Sequence, residues 1–488
     1  MRPTRNAAWI VVGLTALGAL VRFAALDRQS FWLDELVTVS LLRQPFGDML
    51  AAIPDSEATP YLYYVLAWPW ARLAGFGEVG LRSLSALVGA AIVPVAYGAG
   101  SALVSRGVGV VAAALVSVNP FLVWYAQEAR AYSLFALLAA CTVLFFGRVL
   151  RGGAGWDLVG WALAASLALA THYFAFFLVL PEAIWLLVRP GSRRLAALAV
   201  ALPAAVGLAQ LPLLLDQRGA GEAVTDASLA SRVAGVPKGL AVGYSFPAEI
   251  AGSVLAAGLL ATGLALLLTR APRELRGRAF VPGVLAIVAI GAPVALALVG
   301  ADYVIVRNAI LAIVPAAVCV ATGYAASRFG LAAGAALCAL LLAITLSVSF
   351  DERYGRTDWR SAGERLGSPS AARAIVVTPF LSRQLWEPYL PRLEEPSGDV
   401  VRVQEIAAIG LATEEGFSIG ERVKPPALDS GPPPPPAGFG IVAEERTPTY
   451  TLVLYRATTP TPVSLAELDR LRLADQQPGF LLQPTPTG

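Results

Sequence analysis

The chain has 488 residues, of which 56% are hydrophobic and only 15% charged, with a formal net charge of +3 and a mean hydropathy of +0.64. Soluble domains carry about a quarter of their residues as charges, so the deficit points to lipid as the main solvent. The small charge excess forms no compact basic patch, so nothing points to nucleic acid as a partner; three cysteines in apolar runs (Cys141, Cys319, Cys338) argue against a disulfide framework, and one histidine with no loop cysteine excludes an ordinary His/Cys zinc cluster.

Apolar runs long enough to span a bilayer recur near 7–26, 79–104, 108–122, 131–149, 157–172, 174–188, 195–215, 249–269, 280–300, 305–325 and 331–350. They predict an α-helical polytopic membrane protein with about eleven transmembrane helices. The first run reads as a retained helix rather than a cleaved leader, although Arg2 and Arg5 precede it. The segment 59–75 (TPYLYYVLAWPWARLAG) is broken by Pro60 and Pro69 and suits the membrane interface better than a full span. Arginines cluster in alternate short loops, at Arg106, Arg148 with Arg151, Arg189 with Arg193 and Arg194, Arg270 to Arg278, and Arg328. That alternation predicts an N-terminus inside the cell and a C-terminus outside.

Composition changes after Phe350, dividing the chain into a membrane module, 1–350, with a long first outer loop, 27–78, and a small extracytoplasmic α/β domain, 351–488. In the tail, 357–366 predicts a helix capped by Thr357 or Asp358. Residues 374–378 predict a strand, and 439–445 with 450–457 a strand pair. The stretch 424–438 reads as a polyproline II linker, and the last residues, LLQPTPTG, as disordered. The tail shows no catalytic motif.

Chemistry concentrates in the outer loops. In FWLDELVTVSLL (31–42), Asp34 and Glu35 are adjacent carboxylates beside a helix start. One of them could serve as a partly desolvated general base; equally, the pair could merely satisfy a helix dipole. In NPFLVWYAQEARAYSLF (119–135), Asn119-Pro120 breaks a helix, and the spacing places Tyr125, Glu128 and Tyr132 on one helical face, with Glu128 and Arg130 at the next helix start. The alternative is an interfacial aromatic belt with one ion pair. His172 lies at an outer helix end, where a hydrogen-bonded structural histidine is the competing reading. Arg307 and Arg82 stand at the outer ends of spans and could bind a phosphate or simply snorkel. Glu182 is the most deeply placed carboxylate, open to a functional role or to pairing with an arginine on a neighbouring helix.

The WLDE motif after the first helix resembles the aspartate–glutamate signature of membrane glycosyltransferases of GT-C fold, in particular the bacterial glycosyltransferase family 39, related to protein mannosyltransferases and the lipid A aminoarabinose transferase. TPYLYYVL (59–66), GFGEVGLRSLSALVG (75–89) and NPFLVWYAQEARAYSLF also fit that family. The resemblance is firm over 28–135 and looser beyond. It implies an inverting enzyme that takes a sugar from a polyprenyl-phosphate donor and passes it to a hydroxyl of a lipid, glycan or protein acceptor on the outer side of the cytoplasmic membrane. Asp34 matches the proposed catalytic base, with Glu35 beside it, and Glu128 matches a second-loop acid. Arg82 and Arg307 are the candidates for the phosphate, with Tyr125, Arg130, Tyr132 and His172 completing the substrate-binding set. Thr59 stands where relatives often carry His or Lys. Some enzymes of this fold use a divalent cation; two carboxylates with no further loop cluster argue against one here, and no metal ligand is assigned. The competing function is a lipid-carrier flippase or transporter using Glu182 and the membrane arginines. No matched, Gly/Pro-broken halves support it.

Overall fold

The apolar runs do become helices. The structure, a computed structural model, describes residues 5–153, 155–189, 193–217, 228–356, 358–378, 386–390, 392–411, 428 and 431–485. Arg2, Thr357, the Pro-rich positions 424–427 and 429–430, and the last three residues lie outside them. Helices run in the order α1 (Arg5–Phe23), α2 (Leu33–Arg43), α3 (Phe46–Ser56), α4 (Leu62–Ala74), α5 (Glu78–Leu103), α6 (Arg106–Ser117), α7 (Pro120–Ala126), α8 (Tyr132–Leu150) and α9 (Gly155–Thr171). Then come α10 (Phe176–Val188), α11 (Arg193–Ala209), α12 (Leu211–Asp216), α13 (Leu229–Val242), α14 (Glu249–Thr269), α15 (Arg273–Ala297), α16 (Ile313–Tyr324) and α17 (Arg328–Phe350).

Among the described residues, seven helices are long and apolar enough to cross a membrane, or eight if α6 and α7, bent by 58° at their junction, form one span. Three of the expected spans are shorter. Helix α9 stops at Thr171, where His172 turns the chain into a 3₁₀ segment that leads into α10. Helix α11 stops at Ala209, and Pro212 sits in the first turn of α12. The chain is a polytopic helical membrane protein with a small α/β domain at its C-terminal end.

The chain folds as two compact units. The first comprises Met1–Leu26 and Leu41–Phe350. Its core is a continuous apolar cluster around α5, α6, α8 and α16, including Val93, Phe121, Phe135, Phe146, Trp161 and Tyr324. Small residues let these helices approach closely, as membrane packing requires. At the α14–α16 crossing a Cβ on Gly323 would run into the Gly263 carbonyl oxygen, so only glycine fits there.

The second unit comprises Asp27–Ser40, Asp351–Glu415 and Glu421–Gly488. Thus the segment carrying Asp34 and Glu35 belongs with the C-terminal domain. That domain is a five-stranded sheet of β1 (Arg373–Thr378), β2 (Val400–Leu411), β3 (Phe439–Arg446), β4 (Tyr450–Ser464) and β5 (Gly479–Gln483), in the order β3-β4-β2-β1-β5. Strands β1 and β2 pair in parallel and the remaining pairs are antiparallel. Strand β1 is buried throughout, as its unbroken apolar run requires. Ile375 and Val377 face one core with α18 (Trp359–Leu366); Ala374 and Val376 face another with Leu468 of α19 (Leu465–Asp469). Asp358 caps α18, its Oδ1 accepting from the Ser361 N–H at 3.0 Å. The expected disorder at 481–488 fails for Leu481 to Gln483, which pair with β1 as part of β5. Buried Glu405 accepts hydrogen bonds from Ser370 Oγ (3.0 Å), Arg373 Nε (3.0 Å) and Arg456 Nη2 (2.7 Å). Burial pushes its carboxyl pKa up, but these partners outweigh burial and hold it below the usual value.

Candidate active site

The site is built on the C-terminal end of α1. Arg22, fully buried in the last turn of α1, donates from Nη1 to the Gly18 and Ser117 carbonyls (2.8 and 2.9 Å) and from Nη2 to the Val116 carbonyl (3.2 Å). The Val116 and Ser117 carbonyls lie in the last turn of α6, whose dipole places about half a negative charge there, so one helix C-terminus serves as a counter-charge for the guanidinium. Gly89 leaves room for it: a Cβ there would meet Arg22 Nε at 3.2 Å and Ala126 Cβ at 2.7 Å. Gln127 Nε2 donates to the Val21 carbonyl (3.0 Å), and buried Arg82 donates from Nη1 to the Leu26 carbonyl (2.8 Å). Arg82 does not snorkel outward; it holds the end of α1.

Asn119 and Pro120 break the helix as expected. Asn119 Oδ1 accepts from the Leu122 N–H (2.9 Å) and its Nδ2 donates to the Leu240 carbonyl (2.9 Å). The expected single helical face for Tyr125, Glu128 and Tyr132 does not form. Helix α7 ends at Ala126, and residues 127–131 make a buried turn before α8 starts at Tyr132. Tertiary partners outcompete helical pairing here, because Gln127 reaches α1 and Arg130 reaches Glu57. The tyrosines nevertheless meet, with the Tyr125 and Tyr132 rings packed edge-on at 4.7 Å.

Around that turn the structure gathers the second-loop candidates. Arg130 makes a bidentate pair with Glu57, at the end of α3, with Nη1–Oε1 2.5 Å and Nη2–Oε2 2.7 Å, and donates to Tyr64 Oη at 3.1 Å. Both charged partners are more than nine-tenths buried. Tyr125 and Tyr244 share a hydroxyl–hydroxyl hydrogen bond of 2.5 Å. His172 stacks on Phe135 (4.6 Å, 11°) and lies 5.9 Å from the Tyr132 ring, over which the Arg307 guanidinium sits at 5.6 Å. His172 Nδ1 accepts the Phe174 N–H (3.2 Å), placing the ring proton of the neutral form on Nε2. This histidine lies in the break between α9 and α10. Burial, then the Arg307 and Arg130 charges, push its pKa down to about 3, so it is neutral at physiological pH. Glu128 is fully buried. Sequence reading missed Arg22, Glu57, Tyr64 and Tyr244. Arg22 was visible as a lone arginine inside an apolar run, and Glu57 as an acid just ahead of TPYLYY.

In the other unit, α2 begins at Leu33, which places Glu35 at its third position. Glu35 Oε2 accepts the Trp32 N–H (3.3 Å), half of a capping box, and the side chain is fully buried. Asp34, one residue earlier and so turned about 100° around the helix, is half-buried. Its carbonyl accepts the Thr38 hydroxyl at 3.2 Å.

Glu182 is buried between α8, α9 and α10, and the donors that reach it are neutral. Trp161 Nε1 donates to Oε2 (2.8 Å) and the Thr142 hydroxyl lies 3.3 Å from Oε1, where the sequence left an arginine partner open. Replacing Glu182 with Gln keeps one acceptor oxygen, which can still take the Trp161 N–H, while the Thr142 hydroxyl retains the Ala139 carbonyl at 2.8 Å, so the thermal midpoint and activity are expected to stay near wild type. Glu182→Ala strands the Trp161 N–H at a cost of about 1–3 kcal/mol. Thermal melts and activity measurements on the two variants check this; inactive Gln protein of normal stability would return Glu182 to a functional role. Among the described residues, no group of three or more His, Cys, Asp or Glu is placed to hold a metal ion.

Comparison with known proteins gives three findings. Among solved structures, ArnT from Cupriavidus metallidurans superposes with a TM-score of 0.46 at 16% identity, over 66% of this chain and 60% of that one. The Archaeoglobus fulgidus oligosaccharyltransferase with a tethered acceptor peptide gives 0.47 at 14% identity, over 74% and 57%. The mycobacterial arabinofuranosyltransferase AftD gives 0.46 at 15%, over 94% and 40%. The chain therefore spans about 60% of the length of ArnT. No curated protein matches it. Residues 58–215, a stretch that starts after Asp34 and Glu35, contains Arg82, Tyr125, Glu128, Arg130, Tyr132 and His172, and ends before Arg307, match the family model described as dolichyl-phosphate-mannose-protein mannosyltransferase.

Proposed function

We propose that the chain is an inverting glycosyltransferase that moves a sugar from a polyprenyl-phosphate donor to an acceptor hydroxyl at the outer face of the cytoplasmic membrane. The observation that carries this reading is the buried constellation of Arg130–Glu57, Tyr125, Tyr132 and neutral His172, with Arg307 over Tyr132. Most of it lies within the matched stretch, whose family description names a lipid-phosphate-linked sugar donor.

The chemistry follows from charge. The bond between the sugar anomeric carbon and the phosphate oxygen breaks as the acceptor oxygen bonds to the opposite face of that carbon. The acceptor proton passes to Asp34, half-buried at a helix start, and the prenyl phosphate leaves as an anion. A guanidinium in a partly desolvated site stabilises that developing charge far better than water does, and Arg307 is the residue assigned to it. Arg130, bound bidentate to Glu57, and Arg82, bound to the Leu26 carbonyl, organise the site.

Purified protein in lipid is expected to move label from at least one of polyprenyl-phosphate mannose, glucose or arabinose to an acceptor fraction. Absence of transfer from all three, with substrate accumulation in proteoliposomes, would instead establish a carrier.

A further inference from the structure

The sequence assigns no role to the C-terminal domain, yet within the second unit it holds the residues immediately ahead of Asp34. Hydrogen bonds join 27–31 to it. The Tyr389 hydroxyl accepts the Phe31 N–H at 2.7 Å, and Ser30 Oγ accepts the Trp359 N–H at 2.9 Å. Gln29 Oε1 accepts the Arg356 N–H at 3.1 Å, and Arg360 Nη2 donates to the Asp27 carbonyl at 2.6 Å. The Arg356 guanidinium lies 5.9 Å from the Trp32 ring centre. Ser30 and Phe31 are 1% and 2% exposed, and the Trp359–Ser30 bond is buried.

The holding elements are themselves rigid. Trp359 packs edge-on against Trp386 at 5.1 Å, and both belong to the apolar core that includes Ile375, Val377, Ala407 and Ile409 of β1 and β2. A Cβ on Gly363 of α18 would stand 3.0 Å from Tyr389 Cβ, so helix and tyrosine are in tight contact. A continuous path therefore runs from the central strands through α18 and Tyr389 to Phe31, three residues before Asp34. Side chains that bond backbone groups fix the course of a segment, whichever side chains that segment carries.

We propose that the C-terminal domain is the positioning element of the Asp34 segment, with Ser30 and Tyr389 as its positioning residues. The consequence for turnover rests on Asp34 acting as the base; the clamp itself does not. Positioning errors of about 1 Å at a reacting group cost on the order of a hundredfold in rate, so a clamp on this segment acts on kcat rather than on donor binding.

The test uses the full-length protein in detergent or nanodiscs. Tyr389→Phe removes only the oxygen that accepts the Phe31 N–H, and Ser30→Ala removes the acceptor for Trp359. In each variant, amide exchange over residues 30–36 should accelerate about tenfold, the scale of one lost buried hydrogen bond, while β1 and β2 keep wild-type protection. Transfer kcat should fall about tenfold with donor KM unchanged. Unaltered exchange at 30–36 in both variants overturns the clamp, and faster exchange with unaltered kcat overturns its positioning role. If the wild type transfers no sugar, the functional reading fails instead, and exchange alone decides the clamp.

Discussion

Asp34→Asn is expected to lower glycosyl transfer by about 10²–10⁴-fold, the range that a positioned general base supplies, while the protein still inserts and folds. Asparagine keeps the shape and hydrogen-bonding oxygen of the side chain but takes up no proton. It also loses the interaction of a carboxylate with the start of α2, about 0.3–1 kcal/mol. Glu35→Gln makes the matched control. Its side chain is turned inward onto the Trp32 N–H, an acceptor role that glutamine also fills, so turnover should stay within about threefold of wild type. Transfer rates with labelled donor, measured beside thermal midpoints for the two variants, separate the carboxylates. A fully active Asp34→Asn protein would remove the base assignment; an inactive Glu35→Gln protein of normal stability would shift it by one residue.

That contrast shows how far the sequence could be read. The adjacency of Asp34 and Glu35 was plain, and helical geometry already required them to point apart, but which of them faced inward depended on α2 beginning at Leu33. The membrane architecture was legible because apolar length is set by bilayer thickness, a constraint local to each span. The second-loop site was legible only in composition. Asn119-Pro120 announced the break, whereas the turn over 127–131 takes its course from Glu57, Arg22 and Val21, residues 73 to 106 positions away. A helical period read from Tyr125 through Tyr132 could not include those partners. In the tail, β1 stood out as an unbroken apolar run. Strand β2, with Arg402 and Glu405 among its residues, and β5, close to Pro484, did not announce themselves, because their pairing is decided by neighbouring strands rather than by their own pattern.

The second large effect belongs to Glu57, which sequence reading overlooked. Its carboxylate and the Arg130 guanidinium are both buried, and removing one partner leaves an uncompensated charge, which typically costs about 3–5 kcal/mol. Glu57→Ala and Arg130→Ala are each expected to lower the thermal midpoint by several degrees or more and to reduce the folded yield. Replacing both at once, Glu57→Leu with Arg130→Met, leaves no orphaned charge and should recover most of that stability. Activity should not recover with it. Arg130 also donates to Tyr64, and a methionine there cannot, so the double variant loses the contact that fixes this tyrosine beside the pair. A folded, inactive double variant is therefore the expected outcome, read by thermal melts alongside labelled transfer. Restored transfer would reduce the pair to scaffolding.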